Sequence, residues 1–82
     1  MAEKPLLYVQ YIVHGVREIP YHTGFIVEKV SRGQRPHYYT LYGIMAEGYE
    51  MAIADFKKRS DAEALKKELN RLLKFYRSIN KD

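Results

Sequence analysis

Cysteine is absent from the chain, which excludes disulfide staples and thiolate metal sites. At 82 residues the chain buries only about 60–65% of the surface its unfolded form would expose, so self-association is the cheapest further source of stability. Long hydrophobic runs are missing as well. The longest nearly apolar stretch, residues 5–13, is interrupted by Gln10 and falls far short of a membrane span. The opening residues Met1, Ala2, Glu3, Lys4 and Pro5 lack a basic segment ahead of an apolar one, so no signal peptide is expected. These absences, with a cysteine usage compatible with a reducing compartment, lead to the expectation of a soluble cytoplasmic protein that forms one domain over residues 1–82 and has no membrane partner.

Catalytic constellations are equally scarce. His14, His22 and His37 are spread over different segments without metal-ligand spacing, and no phosphate-binding glycine loop or nucleophile motif occurs. Gly43 and Gly48 read as strand and turn glycines. His22 beside Tyr21 is a possible acid/base pair, but a loop histidine is far more often an ordinary surface residue. The expectation is a non-enzymatic protein with no catalytic residue, no metal ligand and no cofactor.

What the chain does hold is tyrosine: eight Tyr and three Phe, with no Trp. Tyrosine suits surfaces that are at once apolar and wet, such as protein interfaces and base-stacking platforms. Fourteen Lys and Arg against ten Asp and Glu give a net charge of +4, a mild bias shared by many soluble domains.

Four segments read as strands from their β-branched and aromatic content: about 6–14, 24–30, 37–45 and 50–57. Residues 15–23, with Gly15 and Pro20, read as a long connection that could pair in part. Residues 31–36 read as a turn, and Ala46, Glu47, Gly48 and Tyr49 as a tight hairpin. About 60–80 is one amphipathic helix. Ser60 and Glu63 have capping-box spacing, and Ala62, Leu65, Leu69, Leu72, Tyr76 and Ile79 recur at helical spacing, widened by Leu73 and Phe75. At about 100° per residue these fill an apolar arc of roughly 160°. Glu68 falls on the flank of that arc and is expected to pair with a base on the sheet or to lie at the helix edge. The fold class is therefore α+β: a four-stranded antiparallel meander with one C-terminal helix packed on one face, β-β-β-β-α.

One helix covers one face. The short link after the fourth strand and the small residues Ala52 and Ala54 assign the helix to the side of Ala52, Ala54 and Phe56, with Phe25, Val27, Tyr39, Leu41, Gly43, Val9, Tyr11 and Val13. The other face then shows Tyr8, Ile12, Tyr42, Ile44 and Ile53 as interface candidates, among Gln10, His14, Ile26, Glu28, Val30, Tyr38, Thr40, Met51 and Asp55. Such an apolar face implies a partner, and a second copy is the simplest.

Nothing acidic lies between Lys29 and Thr40. Lys29, Arg32, Arg35, His37 and Tyr38 are therefore candidates for contacting single-stranded DNA or RNA, with Arg on phosphates and rings on bases. A solvated hairpin tip would look the same, and the basic helix back at Arg71, Lys74, Arg77 and Lys81 is explained by solvation and the helix dipole. The leading expectation is a small homodimeric nucleic-acid-binding protein. The alternative is a protein-interaction module or small regulator that docks a partner through its aromatic sheet face.

Overall fold

A computed structural model describes residues 7–79. Its elements run β1 (Gln10–Tyr21), β2 (Gly24–Lys29), β3 (Tyr38–Ile44), β4 (Glu50–Phe56) and α1 (Arg59–Ile79). The four strands form one antiparallel sheet in the order β2-β1-β3-β4, with α1 packed on it. The expected α+β architecture is present. The strands do not run as the simple meander expected, because β3 bypasses β2 and pairs with β1.

The length of β1 makes this possible. Residues 10–16 pair with β3 on one side, and residues 16–21 pair with β2 on the other. The segment 15–23 is thus mostly strand rather than connection, with the hairpin turn confined to His22 and Thr23. Gly15 and Pro20 read as breakers, but neither interrupts the pairing. The Gly15 carbonyl accepts the Val30 N–H at 2.9 Å, and strand alternation from there turns Arg17, Ile19 and Tyr21 towards β2. Pro20 faces the outer edge, where its missing donor costs no ladder bond.

Cross-strand partners share a face. Tyr11, Val13, Tyr39, Leu41, Gly43, Ala54 and Phe56 lie on one side, and Ile12, His14, Val16, Tyr38, Thr40, Tyr42, Ile44 and Asp55 on the other. The helix covers the first. Leu41 and Ala62 are fully buried there, and Leu73 is nearly so. Gly43 is required on that face because the Tyr8 ring lies where a Cβ would stand. Tyr8 thus joins the helix side, with its ring 5.7 Å from that of Tyr11, instead of the open face where alternation placed it. Tyr8 and Val9 lie ahead of β1, so strand alternation does not govern them, and the expected strand start at residue 6 falls outside the described residues.

Two further face assignments change. A register shift pairs Leu41 with Ala54 but Tyr42 with Ala52, so beyond the bulge Met51 turns to the helix side and Ala52 to the open side. In β2, pairing of Phe25 with Pro20 and Val27 with Glu18 puts both apolar residues on the open side, with Ile26 and Glu28 opposite. That register became readable only once residues 16–21 proved to be strand.

The helix begins at Arg59, so Ser60 lies inside its first turn, and the Glu63 carboxylate engages Lys66 at 2.6 Å and Arg59 at 3.5 Å instead of completing a capping box. Glu68 pairs with Arg71 on the helix itself. The polar flank of α1 wraps the edge of β1 that β2 leaves open. Asn70 accepts the Tyr11 N–H at 2.9 Å and donates to the Tyr11 carbonyl at 3.1 Å, and Arg77 donates to the Val9 carbonyl. These bonds rotate the helix so that its apolar arc is only partly used. Leu65, Leu72, Phe75, Tyr76 and Ile79 remain exposed on the flank towards β3 and β4.

The molecule is elongated, 50 × 27 × 18 Å, with a radius of gyration of 15.4 Å against about 12 Å for a compact chain of this length. The helix packs against β1, β3 and β4 and makes no contact with β2. No helix among the described residues is long and apolar enough to cross a membrane.

Candidate interaction surfaces

The loop between β2 and β3 does not gather its basic and aromatic residues into one site. Lys29 reaches across the open face, where its ammonium lies 2.6 Å from the Glu50 carboxylate and 5.2 Å from the centre of the Tyr42 ring. Its charge is neutralised there, away from the loop. Arg32 lines a cavity of about 320 Å³ together with His14, Gly33 and Arg59, the last from the start of the helix. Arg35 is simply exposed.

His37 and Tyr38 belong to a different place. The His37 N–H donates to the Val16 carbonyl at 2.8 Å, and its Nδ1 accepts the Glu18 N–H at 3.0 Å. The ring therefore carries its proton on Nε2 when neutral. Both residues line a cavity of about 480 Å³ with Glu18, Asp55, Phe56 and Lys57. Burial, Glu18, Asp55 and Tyr42 together push the Tyr38 hydroxyl above its ordinary value. Carboxylates beside these rings repel phosphate, so this half of the expected nucleic-acid set is poorly matched to it.

On the open face, Ile12, Tyr42 and Ile44 are half-buried although no helix covers them. The side chains of the face cover one another. Thr40, almost fully buried, donates to Asp55 Oδ1 at 2.7 Å, and His14 meets the Tyr42 ring edge-on at 5.7 Å. Burial and Lys29 lower the His14 pKa, partly offset by Glu50. Ile53 is exposed at the β4 bulge, apart from these three.

The larger apolar exposure lies elsewhere. One surface is the helix flank, where Phe75 is 61% and Ile79 63% exposed. The other is the ribbon, where Tyr21, Phe25, Ile26 and Val27 stand in water and every residue of β2 is exposed. Of these apolar residues the sequence set only Ile26 on the face expected to meet a partner. The available signals were an apolar arc wider than one packing contact needs and three consecutive apolar residues in β2.

Among the described residues no group of His, Asp and Glu is arranged to hold a metal ion. The site features define a class of protein no narrower than a small antiparallel sheet with one helix and two uncovered apolar surfaces. Comparison with known proteins yields no matching family model and no significant match among curated sequences or solved structures.

Proposed function

We propose that the protein is a non-catalytic interaction module that self-associates through the flank of α1. The observation that carries this reading is the exposed stripe Leu65, Leu72, Phe75, Tyr76 and Ile79 on a helix already anchored by its other side. The chain exposes 6817 Å², against about 5,100 Å² for a compact monomer of this mass. That excess is more than the roughly 800 Å² each partner gives up in a standard interface. A stripe of this kind packs against its own copy about a two-fold axis without needing a second complementary surface.

Leu72→Glu with Phe75→Glu tests the reading, because both side chains are already largely in solvent and folding should survive. The expected result is a change from dimer to monomer by light scattering at micromolar concentration, with unchanged circular dichroism. An unaltered chain that is strictly monomeric under the same conditions sinks the proposal.

Nucleic-acid binding is retained as a second reading for one reason: Arg32 and Arg59, distant in sequence, line the same cavity with Gly33. On this reading Arg32, Arg35 and Arg59 contact phosphate, and Lys29, His37 and Tyr38 do not. Affinity for oligonucleotides should then fall steeply with salt, and Arg32→Glu with Arg35→Glu should abolish it. Absence of binding at low salt rejects it.

A further inference from the structure

The cavity of about 480 Å³ at the junction of ribbon and sheet combines features that neither apolar surface has. Tyr38 and Asp55 point to the open face, as does Glu18, two residues along β1 from the Val16 that pairs with Tyr38. His37, just ahead of β3, is locked by the Glu18 N–H on its Nδ1, which leaves its Nε2 for another group. Thr40 holds Asp55 through Oδ1 at 2.7 Å and leaves Oδ2 to a ligand. Phe56 also borders the cavity, but its pairing with Tyr39 sets its side chain on the helix side, so Tyr38 and His37 supply the ring faces here.

The charges of this cavity are unbalanced. Among the described residues, the ion pairs of the chain use Glu50, Glu63 and Glu68, and neither Glu18 nor Asp55 has a cationic partner. Two uncompensated carboxylates in a chain of net charge +4, set beside ring faces, form an environment for a positive group. Lys57 also lines the cavity and is the one cation there, on an exposed side chain at the end of β4.

We infer that this cavity binds a cationic side chain, an arginine guanidinium in the first instance, presented by a partner polypeptide. The carboxylates of Glu18 and Asp55 accept its N–H groups, and the Tyr38 ring lies against its plane. This does not depend on self-association through α1, which uses the other face of the sheet. The two can fail separately.

The test is a titration of the full chain with Nα-acetyl-arginine amide, followed by NMR at the His37 and Tyr38 rings, with the citrulline analogue as uncharged control. Saturable shifts with arginine and none with citrulline are expected. Glu18→Gln and Asp55→Asn should each weaken binding by roughly fivefold, in keeping with a solvent-accessible ion pair. Asparagine keeps an oxygen for Thr40, so the fold should hold, and circular dichroism checks that it does. Lys57→Ala should leave binding intact or strengthen it by removing a competing internal cation. A short peptide with central arginine should bind more tightly than spermidine, which separates a polypeptide source from a free polyamine. The inference is overturned by absence of saturation, by equal shifts from citrulline, by indifference to both carboxylate variants, by loss of binding in Lys57→Ala, or by preference for spermidine.

Discussion

The two halves of β1 are one continuous strand, yet they live in different surroundings. Residues 10–16 pair with β3, are capped on their outer edge by Asn70 and Arg77, and lie under a helix. Residues 17–21 pair only with β2, whose six residues are all exposed. A two-stranded ribbon is marginal in water on its own, so this half borrows its order from the body. The contrast shows that strand content is a poor measure of stability. What differs between the halves is the cover over the strand.

That contrast can be broken at several levels, beginning with the core. Leu41→Ala, in the fully buried centre of the body, should cost about 2–5 kcal/mol in urea unfolding. Phe25→Ser in the ribbon, where the side chain is 69% exposed, should stay within about 0.5 kcal/mol. A Phe25→Ser loss comparable to that of Leu41→Ala would mean that the ribbon is packed against something in solution.

The edge cap comes next. Asn70→Ala strips partners from both the N–H and the carbonyl of Tyr11 and should cost roughly 1–3 kcal/mol. Hydrogen exchange at Tyr11 should accelerate in that variant while the amides of Ile26 and Glu28 are unchanged. Equal acceleration in the ribbon would show that the two halves open together.

The smallest effect concerns His14 at the middle of the open face. Burial and Lys29 hold its pKa below the ordinary 6.5, so between the two values the unfolded chain binds more protons than the folded one. Its contribution to stability is therefore present above 6.5 and is lost as the pH falls through the folded value. A shallow fall in Tm on acidification from pH 7 should flatten in His14→Gln, while the ribbon's exchange rates, corrected for intrinsic pH effects, remain as they were. An unchanged slope in His14→Gln would assign the effect to other groups. Glu63, held below the usual carboxylate range by its hydrogen bond to Lys66, adds a loss of the same sign at lower pH.

The elements themselves were legible from local pattern. The helix differs by a residue from its expected start, and the boundaries of the later three strands differ by about as much. The second half of β1 was not legible, because Gly15 and Pro20 carry breaker signals that only the pairing geometry neutralises. Of the basic and aromatic residues of the loop, position along the chain suggested one site. Lys29 leaves it for Glu50, Arg32 turns to Arg59, and His37 and Tyr38 join Glu18 and Asp55. Those partners are 19 or more residues distant for Glu50, Arg59 and Glu18 alike, and no local pattern encodes such meetings.

By itself, then, the sequence determined the kinds and order of the elements, the amphipathic helix, and the shortage of covering surface in a small chain without cysteine. These follow from periodicity and composition, which are local and additive. The tertiary structure decided where the uncovered surface lies. A strand long enough to serve two neighbours left an open edge, Asn70 and Arg77 closed it, and that closure turned Leu72 and Phe75 towards water. The polar flank of the helix satisfies the backbone edge at Tyr11 and Val9, and the part of its apolar arc on the far side is left to solvent.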